Sequence, residues 1–206
     1  MKTKAIPYVI AVMVAAIIGI LIWQNVSTSS VEQPSLINGL SYNEDGNIDI
    51  IIPQNLFGGK NKTAEELIDE FQSSPNYPDN MIGVAPNADG TVTFTYTLEQ
   101  LERERTNIYN FALFHLAEDV VSIMEVIYED DFLTKITVRV DLEKFKDNSF
   151  ERLMCSSALP MYAGIFQVLS GVHHDEWHTT ITIKDADTGD IISITDYPND
   201  DMYTAY

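Results

Sequence analysis

A single cysteine, Cys155, stands in the chain of 206 residues. It excludes an internal disulfide, so a domain built from this chain is held by packing alone. Basic residues are scarce as well: 12 lysines and arginines face 31 acidic residues, for a formal charge of −19. A surface of that sign repels phosphate backbones, anionic lipid and anionic wall polymers, which removes nucleic acid from the expected partners. Its plainest role is to keep a crowded surface protein soluble. Also missing are the G-x-S-x-G, S-x-x-K, P-loop and Rossmann glycine patterns, so the corresponding hydrolases and nucleotide-binding folds have no footing. Carboxylates are too plentiful for any pair to be singled out as a glycosidase dyad. Composition thus leans away from an enzyme.

What is present begins at the N-terminus. Lys2 and Lys4 precede an apolar run from Ala5 to Trp23 that contains no charge. As a helix such a run spans roughly 28 Å, close to the hydrocarbon thickness of a bilayer. The expectation is a transmembrane anchor over residues 5–23, with 1–4 as a cytoplasmic tail and Trp23 at the interface. That gives a single-pass protein of the cell membrane with its C-terminal domain outside. The alternative is a cleaved signal peptide and a secreted product, but the core is long and Gln24 to Thr28 offer no A-x-A site. No cysteine follows the run, which excludes a lipoprotein anchor. Beyond Trp23 lie 31 acidic residues against 10 basic ones, so the exterior part carries −21. An exported domain without disulfides is ordinary for a bacterium. The sequons at Asn25 and Asn61 read as chance.

Residues 24–47, rich in Ser, Asn, Gly and Glu, read as a polar spacer. An α+β domain is expected over 48–198, followed by a short tail, 199–206. Ile48 to Ile52, closed by Pro53, reads as a strand. Thr63 and Glu66 form a capping box for a helix from Ala64 to about Gln72, with Leu67, Ile68 and Phe71 inward. Met81–Ala85 and Thr91–Thr97 flank a Gly-containing turn and predict a hairpin. Thr97 and Gln100 cap a long helix to about Val121, with Leu98, Leu101, Ile108, Ala112 and Leu116 as its core stripe. Arg105 falls in that stripe and must snorkel or find an acidic partner. A second hairpin pairs Ser122–Tyr128 with Phe132–Asp141. Asn148 and Glu151 cap a third helix ending at Gly171, kinked or broken at Pro160. A third hairpin pairs Trp177–Lys184 with Asp190–Tyr197. The order predicts one antiparallel sheet of about three hairpins packed by two to three helices. Leu153 to Val172 carries no charge, but its Ser, Gln, Gly and Pro residues favour a buried helix over a second membrane span.

The richest chemistry lies in His173-His174-Asp175-Glu176-Trp177-His178. As a strand it would put His174, Glu176 and His178 on one face, spaced as ligands of zinc or another divalent metal. The zincin order H-E-x-x-H fails, because Asp175 follows His174, and no third ligand for that motif is evident. A polar loop entering the third hairpin is the plainer reading. Asp185 to Asp190 superficially resembles a calcium loop, but a hairpin turn explains its Asp, Thr and Gly. Asn43-Glu44-Asp45-Gly46 fails likewise. His115 sits among Phe111, Leu113, Phe114 and Leu116 as a core-edge residue, and Cys155 as a small buried one.

Ile48 to Phe57, Asp89 to Thr97 (D-G-T-V-T-F-T-Y-T), Thr134 to Asp141 (T-K-I-T-V-R-V-D) and Thr180 to Asp190 follow a basic start and apolar anchor. That series resembles small exported or membrane-anchored proteins of Gram-positive bacteria without an assigned activity, some weakly similar to a surface-antigen N-terminal region. Many such proteins carry a lipobox cysteine, where this chain has an apolar anchor. The resemblance implies no catalytic residue. The expected function is a membrane-tethered, extracytoplasmic, non-catalytic domain that binds a protein or cell-surface ligand. The alternative is a metal-dependent site at His174, Glu176 and His178.

Overall fold

The computed structural model describes residues 40–53, 56, 63–73, 80–110 and 120–199. The expected anchor, most of the spacer, Ala112, His115, Leu116 and residues 200–206 lie outside the described residues. The described chain is α+β. It divides into two compact units, one running to Asn107 and taking in Val168–Asp175, the other formed by Ile108–Gln167 and the chain from Glu176.

The first unit holds a three-stranded antiparallel sheet in the order β1-β3-β2, with β1 Ile48–Ile52, β2 Gly83–Pro86 and β3 Val92–Tyr96. Alternation makes it two-faced. Ile48, Ile50 and Ile52 are buried against exposed Asp49 and Ile51, and Val92, Phe94 and Tyr96 are buried between half-buried threonines. The β2–β3 turn closes on Gly90, whose φ of 86° is cheap only for glycine. Asp89 Oδ1 accepts from Thr91 N at 3.0 Å and Thr91 Oγ1 at 2.7 Å. Helix α1, Ala64–Ser73, lies against β2. Its capping box is complete: Glu66 N donates to Thr63 Oγ1 at 3.2 Å and Thr63 N to Glu66 Oε2 at 2.9 Å. Ala64 and Ile68 are buried.

Helix α2, Leu98–Asn110, starts from a second such box between Thr97 and Gln100. Leu101, Arg105 and Ile108 form its buried stripe. Arg105 is only 4 % exposed. Its Nε donates to Ser170 Oγ at 3.0 Å, and Glu102 partly offsets the burial that lowers its pKa. Burial of the guanidinium, rather than snorkelling, is the outcome. Helix α2 is described to Asn110; its expected continuation lies outside the described residues, and Val120 and Val121 are not helical.

The second unit holds a four-stranded sheet in the order β4-β5-β6-β7: Ile123–Tyr128, Lys135–Val140, Thr179–Asp185 and Ile191–Tyr197. Its outer pairs are the two expected hairpins. The inner pair is parallel, Lys135 opposite Thr180 through Val140 opposite Asp185. The expectation of one antiparallel sheet is therefore corrected to an antiparallel sheet and a mixed one. A parallel pair requires a long crossover, and the chain between β5 and β6 supplies it. That crossover contains α3 (Leu142–Asp147), α4 (Ser149–Leu153), a π-turn (Met154–Ala158) and α5 (Leu159–Leu169). Asp141 caps α3, which the sequence reading did not include.

Pro160 neither breaks nor ends its helix. Lacking an N–H and crowding the carbonyl four residues earlier, proline needs a wider turn in front of it. The π-turn provides that, with Leu159 N–H bonding Met154 O. Every residue from Ser157 to Ser170 is buried, which explains the missing charges. Among the described residues no helix is long and apolar enough to cross a membrane.

The open edges are irregular in ways that discourage pairing with another chain. β2 ends on Pro86. The β4–β5 register shifts between Ile123 and Glu125, and the β6–β7 register shifts between Ile183 and Lys184.

Candidate functional site

Gly171, at φ 92°, turns the chain out of α5, and its N–H bonds Val168 O at 3.0 Å. The far end of the loop is tied down by buried Trp177 and by the Gln167 side chain. Gln167 Nε2 donates to His178 O at 2.8 Å, and His178 N donates to Gln167 Oε1 at 3.1 Å. One fully buried amide thereby satisfies both backbone groups of His178 at the entrance to β6. Between these fixed points residues 174–176 form a turn rather than a strand. The period-two spacing that would have aligned His174, Glu176 and His178 does not apply there.

His174 has only 15 % of its side chain exposed, while Glu176 and His178 are exposed residues. His178 Nδ1 sits 3.2 Å from Glu176 O. Among the described residues, the potential metal donors lying within 4.8 Å of one another are those of His173, His174 and Asp175. The Asp175 carboxylate faces both imidazoles, Oδ1 3.0 Å from His174 Nδ1 and Oδ2 3.9 Å from His173 Nδ1. The two rings lie 4.3 Å apart, tilted by 31°. His174 Nδ1 is sealed from solvent and makes no hydrogen bond, since Asp175 Oδ1 is close but not aligned. The segment was legible as chemically rich, but which three side chains converge was not.

Asp89 lies within electrostatic reach of this group. Its carboxyl is held below the usual range first by the Thr91 hydroxyl, then by the Thr91 amide, with a smaller contribution from His174.

Two other carboxylates stand out. Glu104 is half-buried as a residue, yet loss of solvent around its carboxyl pushes its pKa up to about 7, against the lowering effects of Arg103 and a hydrogen bond with Asn107. Tyr96 is raised by burial and then by the Glu104 charge. Glu151, 1 % exposed, accepts from Val121 N at 2.7 Å, Ser122 N at 3.0 Å, Asn148 Nδ2 at 2.6 Å and the Ser122 hydroxyl. That carboxylate is fully engaged, and its role is structural. The cap at Asn148 pointed to Glu151, whereas nothing local marked Glu104. Cys155 is buried and its thiol pushed up to about 12 by burial and then by Glu151, which makes it a poor nucleophile.

No protein-family model, curated protein or solved structure matches the chain.

Proposed function

We propose that this chain is a membrane-tethered, extracytoplasmic, non-catalytic protein whose acidic α+β domain binds a protein or cell-surface ligand. One observation carries the reading: the uncharged run from Ala5 to Trp23 behind Lys2 and Lys4, long enough to span a bilayer and oriented by its positive flank. The domain's construction supports it. Disulfide-free packing suits bacterial export, and the solvated faces of its sheets carry hydroxyl and carboxylate groups suited to polar recognition. Thr95 Oγ1 donates to Asp49 Oδ1 at 2.7 Å, and Thr180 Oγ1 to Asp196 Oδ1 at 2.7 Å.

Protease protection on intact cells tests the tether. Protease added outside should degrade the domain and leave an N-terminal tag intact in the membrane fraction. A soluble, protected protein overturns the reading. A product shortened by about 25 residues and recovered from the medium replaces the anchor with a signal peptide.

A second reading, divalent-metal binding at a site that includes His174 but, given the turn at 174–176, neither Glu176 nor His178, draws support from one feature. A sealed, unbonded imidazole nitrogen lies beside a carboxylate.

A further inference from the structure

We propose that His173, His174 and Asp175 bind one divalent transition-metal ion of the zinc class, with the fourth position left to water or an external ligand. The inference takes the metal reading around His174 and gives it a different ligand set. It is independent of the membrane tether.

Three consecutive residues cannot share a face in a strand, where side chains alternate. The turn at 174–176, entered through Gly171 and fixed beyond by Trp177 and the Gln167 amide, removes that alternation. The donors come within 4.8 Å of one another. Zinc bonds of about 2.0–2.2 Å in a tetrahedron place ligand atoms roughly 3.3 Å apart. His174 Nδ1 and Asp175 Oδ1, at 3.0 Å, already lie at about that spacing. His173 requires only a modest approach.

The donor set has the right chemistry. Two imidazole nitrogens with one carboxylate suit zinc, cobalt or nickel better than calcium or magnesium, which prefer oxygen ligands. His174 Nδ1 is buried without a hydrogen bond, a costly state that a metal bond would relieve. His173 Nδ1 meets the Asp175 N–H only at a long 3.4 Å, a weak competitor. Glu176 and His178 are outside this donor group.

The test uses the full chain in detergent, carrying no histidine tag, titrated with Co²⁺ and then Zn²⁺. The expected result is one Co²⁺ per chain with visible ligand-field absorption, displaced by Zn²⁺. His174→Gln and Asp175→Asn should each weaken binding by roughly tenfold or more, while Glu176→Gln and His178→Gln leave it unchanged. Asp175 is 74 % exposed, so its variant tests the site without disturbing folding, and circular dichroism checks the His174 variant. Absence of stoichiometric binding overturns the proposal. So does unchanged affinity in the His174 and Asp175 variants, or an equal loss in the Glu176 and His178 variants. None of these outcomes bears on the protease-protection result.

Discussion

The two sheets of this protein solve the same problem, satisfying backbone groups at strand ends, by different means. The β1-β3-β2 sheet is antiparallel throughout, and its β2–β3 hairpin closes itself. Asn87 N bonds Thr91 O at 2.8 Å, and the Asn87 side chain reaches the Thr91 and Thr93 hydroxyls at 2.8 and 2.9 Å. The β4-β5-β6-β7 sheet has a parallel centre, so the ends of β5 and β6 joined by the crossover cannot be closed by a tight turn. Buried side chains take over there. Glu151 holds the backbone leading into β4, Gln167 holds His178, and Thr179 Oγ1 donates to Leu133 O at 2.6 Å. At the local turn Asn87 and Thr93 are half-buried and only Thr91 is buried; at the long connections Glu151, Gln167 and Thr179 are all buried and each matters more.

That contrast predicts a gradient of mutational effects. Glu151→Ala should cost about 4 kcal/mol, because it strands several donors at once: the Val121 and Ser122 N–H groups, the Ser122 hydroxyl and the Asn148 amide. Chemical denaturation would measure it, and amide exchange should accelerate in β4 and α4. A loss comparable to a surface substitution would break the comparison. Gln167→Leu keeps the volume but orphans both backbone groups of His178, for an expected loss of about 2–3 kcal/mol. Its signature is faster exchange at His178 and along β6.

Glu104 provides a pH-dependent test in the first unit. Its folded pKa, about 7, lies above the ordinary carboxyl value of 4.5 because its carboxyl is withdrawn from solvent, so the folded state holds the proton more tightly. Its contribution to stability is present below about 4.5 and is lost as pH rises through about 7. Glu104→Gln should flatten stability across that window and raise it at pH 8 by about 1–2 kcal/mol, discounted for the residue's partial exposure. Thermal melts at pH 5 and pH 8 would read the difference. The smallest effect is expected at the self-closing turn. Asn87→Ala should cost about 1 kcal/mol, since water can replace its side-chain bonds. A larger loss there than at Gln167 would reverse the gradient.

Much of the local structure was legible. The capping boxes at Thr63 and Thr97 form, and Asn148 caps its helix through the Glu151 N–H, because a cap involves groups only three residues apart. The hairpins were readable from alternation and from glycine turns, including Gly189 at φ 77°, where Asp185 Oδ1 takes the N–H groups of Asp187 and Thr188. Leu133 was not readable. It adopts φ 58°, a conformation costing an L residue roughly 1–2 kcal/mol. Its side chain is fully buried, and burial contributes roughly 1.5–3 kcal/mol, so packing prevails. The Asp130 carboxylate supports the same turn. Burial raises its pKa, but bonds from Thr134, Phe132 and Lys135 outweigh that and hold it low.

The amino-acid sequence alone determined the α+β class, the strand and helix segments, the caps and the turns. Each depends on periodicity or on groups a few residues apart, and such interactions need no knowledge of distant chain. Only the tertiary structure decided that the strands form two sheets, that β5 and β6 run parallel, and that Pro160 lies behind a π-turn. It also decided that His173, His174 and Asp175 converge where a strand reading had aligned His174 with Glu176 and His178. Those choices rest on which distant surfaces bury one another and which buried groups find partners, and a one-dimensional pattern does not carry that information.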